Sequence, residues 1–80
     1  MEYELLCADN IEMKNAKVKA TFTDKKQAIQ ALYSEIEMAK AQRHINDHCM
    51  RFTMFDGFVS VDYGSWSDFI GLTGVTINDF

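Results

Sequence analysis

Proline is absent from this 80-residue chain, and glycine occurs only four times. Flexible linkers and low-complexity segments are rich in these residues, so their scarcity predicts a chain that is ordered nearly throughout. No internal repeat is present, which excludes a solenoid or a repeat array. A chain of this length supports one hydrophobic core, and we expect a single domain over residues 1–80.

Cysteine is also scarce, since only Cys7 and Cys49 are present. Two cysteines are too few for the disulfide framework of a small secreted domain, and a reducing compartment is favoured. No apolar run approaches the roughly 20 residues of a membrane span, and the N-terminal residues do not resemble a secretory leader. The sequence therefore predicts a cytoplasmic protein that does not bind membranes.

Basic residues are few, with 8 Lys and Arg against 12 Asp and Glu and a net charge of −4. The first 44 residues are balanced, so the whole net charge comes from residues 45–80, in which Arg51 is the single base. A negative surface disfavours attraction to nucleic-acid phosphates, and direct nucleic-acid binding is not expected. A protein partner with a basic surface is favoured instead.

Two segments near the N-terminus alternate between apolar and polar residues, as half-buried strands do. They span residues 2–7 and 16–23. In the second segment three residues are expected to face the core, Val18, Ala20 and Phe22. Lys17 and Lys19 are then expected on the solvent face, beside the acidic residues of an antiparallel first strand.

A long helix is predicted after the second strand, because the chain from Asp24 to about His44 contains neither glycine nor proline. Asp24, followed by Gln27 three residues later, resembles a capping box at the start of this helix. Apolar residues recur at helical spacing and should face the sheet: Ile29, Leu32, Tyr33 and Ile36. Asn46-Asp47 is expected to stop the helix.

A second hairpin is indicated by the pair Asp56-Gly57, which favours a two-residue type I′ turn. Counting outward from this turn pairs Phe55 with Phe58 and Arg51 with Asp62. The alternation then predicts one face covered by the helix, formed by Met50, Phe52, Met54, Val59, Val61 and Tyr63. Phe55 and Phe58 are left on the opposite face, where no helix covers them.

The C-terminal part is expected to form a short helical turn opened by Ser65 and Asp68 and ended by Gly71. A last short strand is expected over residues 75–77. These elements together predict an α+β fold, a two-layer β-β-α-β-β unit in which one long helix packs on one face of an antiparallel sheet.

An enzymatic interpretation centres on His44, His48 and Cys49. Two histidines at this spacing lie on one face of a helix and can bind a metal, and a thiol beside an imidazole can act as a nucleophile. A polar helix end is the simpler explanation, because Asn46 and Asp47 should break the helix between the histidines. Neither a metal nor a cofactor is expected, but a small metal- or thiol-dependent enzyme stays an alternative.

A surface patch of aromatic and acidic residues is the preferred candidate site. Its proposed members are Phe55, Asp56, Phe58, Asp62, Trp66 and Asp68. Aromatic side chains bury a large area at low entropic cost, and carboxylates steer a basic partner toward the surface. The competing interpretation is structural, with Trp66 covering an open end of the core and the two phenylalanines stabilising the hairpin.

The sequence favours a non-enzymatic protein-interaction module that acts as a stand-alone inhibitor or adaptor on a larger partner with a basic and apolar surface. Small acidic domains without catalytic motifs are typical of the proteins that phages and mobile elements direct against host machinery, including CRISPR and other defence systems. A homo-oligomeric structural module that pairs through exposed edge strands is a further alternative.

Overall fold

Five strands, one α-helix and one 3₁₀ helix make up the computed structural model, which describes residues 2–46 and 50–80. The first half contains β1 (Tyr3–Ala8), β2 (Lys17–Phe22) and α1 (Lys25–Gln42). The second half contains β3 (Arg51–Phe55), β4 (Phe58–Asp62), β5 (Phe69–Thr73) and the 3₁₀ helix (Ile77–Asp79).

The strands form one antiparallel sheet in the order β2-β1-β5-β4-β3. Each of the two hairpins is local in sequence, and β5 joins them in the middle of the sheet. The helix packs on one face, which is called the inner face below, and mainly contacts β5 and β1. The predicted α+β fold with one long helix on an antiparallel sheet is confirmed.

The prediction for the C-terminal part was wrong in both of its elements. Residues 65–68 form an irregular loop, and the helical turn expected through Phe69 and Ile70 is replaced by the central strand β5. The strand expected over residues 75–77 is absent, and the 3₁₀ helix occupies the chain end. In the loop, the Ser65 and Asp68 side chains bond locally instead of capping a helix.

The core lies between α1 and the inner face of β1, β5 and β4. Its fully buried side chains come from both layers: Ala28, Leu32, Ile36, Val59, Val61 and Leu72. Near β3, C-terminal residues also cover the inner face, since the centroid of the Phe80 ring lies 4.9 Å from that of the Phe52 ring. The polar helix residues Gln30 and Glu37 are exposed.

The register predicted for the second hairpin is confirmed over the whole ladder, from Phe55 opposite Phe58 to Arg51 opposite Asp62. Its inner face is less uniformly covered than expected. Val59, Val61 and Tyr63 are buried, whereas Met54 keeps 42% of its surface exposed. This difference arises because β4 is interior to the sheet and β3 is its edge.

A bulge in β2 changes which of its side chains face the helix. Leu5 lies opposite Ala20, but Leu6 lies opposite Val18, so Lys19 is the extra residue. An extra residue shifts the alternation by one position. Val18 is therefore exposed rather than inward as predicted, and Lys19, which is exposed as predicted, pairs with Glu35 of α1.

The opposite face of the sheet, called the outer face, is covered in part by the loop between β1 and β2. Met13 in this loop is buried, and a Cβ added to Gly71 would lie 3.3 Å from its Sδ and Cε atoms. The Asn10 side chain holds the loop by accepting from the Lys14 N–H at 2.9 Å and donating to the Lys14 carbonyl at 3.0 Å. The loop thus packs the Met13 thioether against Gly71 on the outer face.

Candidate protein-binding surface

The six residues of the predicted patch divide between the two ends of β4. Phe55, Asp56 and Phe58 lie at the β3–β4 turn, whereas Asp62 ends the strand and Trp66 and Asp68 lie in the loop that follows it. A five-residue strand spans about 13 Å from its first Cα to its last. The structure therefore separates the predicted residues into two groups and does not form one continuous patch.

The Phe55 and Phe58 rings form a stacked pair on the outer face. Their centroids are 5.0 Å apart and the rings are inclined by only 8°. Both side chains are half-buried, and Asp56 in the turn is exposed. Cross-strand aromatic pairs of this kind stabilise a hairpin, so this pair has a structural role whatever it binds.

Trp66 is the most exposed apolar side chain among the described residues. It keeps 98% of its surface accessible, so it does not cover the open end of the core. An indole of this kind contributes almost nothing to folding and presents a large apolar area to water. Trp66 is therefore the part of the predicted patch that has no structural explanation.

The loop that carries Trp66 is held by its own polar side chains. Asp62 accepts a hydrogen bond from the Gly64 N–H at 3.0 Å, and Ser65 Oγ accepts one from the Ser67 N–H at 3.4 Å. Asp68 forms an ion pair with Arg43 at the end of α1. These contacts fix both ends of a short loop whose tip is the exposed indole.

The carboxylates of the second half are partly neutralised by bases from the helix. Asp68 pairs with Arg43, and Asp79 lies 3.4 Å from the Lys25 ammonium. The charge asymmetry of the sequence is therefore weaker in three dimensions than along the chain. Asp62 and Asp68, expected to steer a partner, mainly hold the Trp66 loop, while Asp56 is exposed in the β3–β4 turn.

Among the described residues, three groups have pKa values that are shifted by contacts or burial within the fold. The hydrogen bond from the Lys19 ammonium to Glu35 raises the pKa of Lys19, and burial raises the pKa of the Tyr63 hydroxyl. The Thr76 N–H, 2.8 Å from the Asp79 carboxylate, lowers the pKa of Asp79. Lys19 and Asp79 lie outside the Trp66 loop, and Tyr63, which begins this loop, owes its shift chiefly to burial in the core, so the shifts do not indicate acid–base chemistry there.

The histidine and cysteine cluster of the enzymatic alternative is only partly within the described chain. The helix ends at Gln42, so His44 lies beyond it. The helical spacing that would let His44 and the residue four positions later bind one metal ion therefore does not apply. His48 and Cys49 lie outside the described residues. Within residues 2–46 and 50–80, no three His, Cys, Asp or Glu side chains are grouped as a metal site requires.

His44 instead occupies the left-handed position that ends the helix, with φ of 55°. The Ile45 N–H bonds to the Lys40 carbonyl and the His44 N–H to the Ala41 carbonyl, which is the Schellman pattern. Glycine is favoured at this position because a Cβ is strained there.

Replacing His44 with glycine is therefore expected to raise the free energy of unfolding by about 0.5–1 kcal/mol. Urea unfolding followed by circular dichroism measures the change. His44→Ala keeps the Cβ and serves as the control, with little or no gain. A loss of stability in His44→Gly would show that the imidazole itself makes a contact that stabilises the fold.

The remaining cysteine of the described chain lines an open cleft of about 340 Å³ at the end of β1. Cys7 is half-buried there, although its inward position on the alternating first strand predicts a core side chain. The other lining side chains are Ala8, Asp9, Asn15, Lys17 and Asp68. Thiol catalysis needs an adjacent base, and this described lining contains no imidazole, so the cleft gives the enzymatic alternative no support.

Comparison of the chain with protein-family models, with curated proteins and with solved structures finds no match in any of the three. In the described part of the chain, no helix has the length and apolar character needed to cross a membrane. The geometry of the Trp66 loop is therefore the main guide to function.

Proposed function

We propose that this chain is a non-enzymatic protein-binding module whose principal contact is Trp66. The observation that supports the proposal is the exposure of 98% of this side chain on a loop held at both ends. A tryptophan contributes about 150–250 Å² of surface when it is buried, and tryptophan is enriched among the residues that dominate interface energies. A partner that buries the indole therefore removes from water an apolar surface that stays exposed in the folded chain.

The bracing of the loop favours binding because it limits the conformational entropy lost on association. Asp62 and the Asp68–Arg43 ion pair keep the loop in one arrangement before the partner arrives. A preorganised side chain binds more tightly than a mobile one with the same contacts. In this proposal the two carboxylates act as positioning residues for Trp66.

The partner is proposed to be a larger protein with an apolar pocket that accepts the indole. A basic rim around this pocket would suit the net charge of −4 and the exposed Asp56. An inhibitor or adaptor acting in the cytoplasm fits these features, because the chain offers a surface for occupation and its two cysteines favour a reducing compartment.

Replacing Trp66 with alanine is expected to weaken partner binding at least 30-fold, about 2 kcal/mol or more, as for a central aromatic anchor. The change in unfolding free energy should stay within about 0.5 kcal/mol, because the side chain is exposed. Proteins captured on the immobilised wild-type and variant chains are compared by quantitative mass spectrometry. The dissociation constant is then measured with the purified partner.

Met38→Ala is the matched control, since Met38 is an exposed apolar residue on α1. It should leave capture and affinity unchanged. Trp66 is the only tryptophan, so its fluorescence should shift to shorter wavelength when the purified partner binds. A partner captured equally by the wild type and Trp66→Ala, with no fluorescence shift, would contradict the proposal.

A further inference from the structure

The edge of β3 that faces away from β4 is a second feature that the proposed function does not use. β3 is the last strand of the sheet, and no described residue pairs with its free side. Residues flanking a two-residue turn form a hydrogen-bonded pair, so Phe55, Thr53 and Arg51 direct their backbone groups toward β4. Phe52 and Met54 then direct their N–H and C=O groups to the open edge, where another strand can pair with them.

The two edges of the sheet differ in how well they resist such pairing. The β2 edge has a bulge at Lys19 and carries a second lysine, Lys17, features that discourage strand addition. The β3 edge has an uninterrupted register and no proline, and Arg51 is its single charged residue. An added strand should therefore join at β3 and not at β2.

We propose that the strand added at β3 is β3 of a second copy, paired antiparallel about a two-fold axis at Thr53. In this register all five residues of β3 are paired, and the two sheets become one of ten strands. Thr53 lies opposite Thr53, a favourable cross-strand pair. Phe52 lies opposite Met54 of the second copy and exchanges both backbone hydrogen bonds with it.

The stacked phenylalanines supply an independent reason for this register. Phe58 covers one face of the Phe55 ring at 5.0 Å, close to the spacing of about 4.8 Å between neighbouring strands. The other face of the Phe55 ring is therefore directed to the position of the next strand. The register centred on Thr53 places Arg51 of the second copy there, and a guanidinium over an aromatic face is an attractive contact.

The inner side of the same edge is apolar and open. Met54 is exposed beside β4, and Tyr33 and Ile77, also exposed, belong to the elements that pack next to Phe52. In the proposed register, Met54 lies opposite Phe52 of the second copy, and contacts between a sulfur atom and an aromatic ring are favourable. The side chains on both faces of β3 are thus complementary to the same strand turned by 180°.

The test uses charge at the two-fold axis. Thr53→Lys and Thr53→Glu each place two like charges opposite one another, so each variant alone should be monomeric. An equimolar mixture should recover a dimer, because the lysine of one chain then lies opposite the glutamate of the other. Sedimentation equilibrium over a range of concentrations is expected to show wild-type chains approaching twice the monomer mass of 9.2 kDa.

Val18→Lys adds the same charge as Thr53→Lys, but at the opposite edge of the sheet. This variant should dimerise as the wild type does. Trp66→Ala should do the same, which separates this proposal from the binding function assigned to Trp66. A wild type that stays monomeric at all concentrations would overturn the proposal. So would a dimer that persists in both Thr53 variants, since its interface must then lie elsewhere.

Discussion

Replacing Leu72 with alanine is expected to lower the free energy of unfolding by about 3–5 kcal/mol. Leu72 has no exposed surface and lies in the central strand, between Leu5 of β1 and Val59 of β4. Its truncation leaves a cavity where the sheet meets the helix and where neighbours on both sides limit relaxation. Since small domains are stable by only about 5–15 kcal/mol, the variant should be largely destabilised in urea.

Met54→Ala is the matched control for this prediction. Met54, Val59 and Leu72 share one row of the inner face, but Met54 is at the edge and keeps 42% of its surface exposed. At concentrations at which the chain is monomeric, its truncation should cost less than about 1.5 kcal/mol, because little buried surface is lost. Equal losses in the two variants would show that the core extends to β3 and is not centred on β5.

Replacing Gly74 with alanine is expected to cost about 3 kcal/mol or more, from two separate causes. Gly74 has φ of 78°, in the left-handed region, and an added Cβ would lie 2.8 Å from Cδ1 of Tyr3. The Tyr3 ring is buried and cannot move away freely. Thermal and urea unfolding of the purified variant measure the loss.

Gly57→Ala isolates the backbone contribution to that loss. Gly57 has φ of 87°, but an added Cβ meets no atom within 4 Å. It should therefore cost only the left-handed strain, about 1–2 kcal/mol. The two glycines are neighbours, since the Gly74 N–H bonds to the Gly57 carbonyl at 3.1 Å. If both variants lose the same stability, Tyr3 moves aside and the steric argument fails.

The elements with a strong local signal were predictable from the sequence. Asp56-Gly57 fixes a two-residue turn, and every pair of the β3–β4 ladder follows from counting outward. The helix was equally clear, and the Asp24 side chain does accept from the Gln27 N–H as the capping pattern indicates. In both cases the information lies within a few residues of the feature.

The central strand could not be recognised in the same way. β5 reads Phe-Ile-Gly-Leu-Thr, without alternation, because an interior strand is covered on both faces. Ser65 and Asp68 just before it have the spacing of a helix cap, yet they bond within a loop. A local pattern cannot distinguish these outcomes, since pairing with β1 and β4 decides between them.

The arrangement of the candidate site was predictable from the sequence only in part. Trp66 was one of six residues in the predicted patch, and its exposure depends on a loop held by Arg43, a residue distant in sequence. The predicted register already placed Phe58 and Asp62 at opposite ends of β4, so the separation of Trp66 from Phe55 and Phe58 could have been inferred from the sequence. The alternation of apolar and polar residues in β2 gives no sign of the bulge at Lys19, so the exposure of Val18 could not be predicted from the sequence.

The middle position of β5 has a consequence for the cooperativity of unfolding. The two hairpins do not pair with each other, and the sheet is continuous only through β5. An isolated two-stranded hairpin is at best marginally stable in water. Detaching β5 therefore leaves no half of the sheet that can persist alone, and the domain is expected to pass between folded and unfolded states without a populated intermediate.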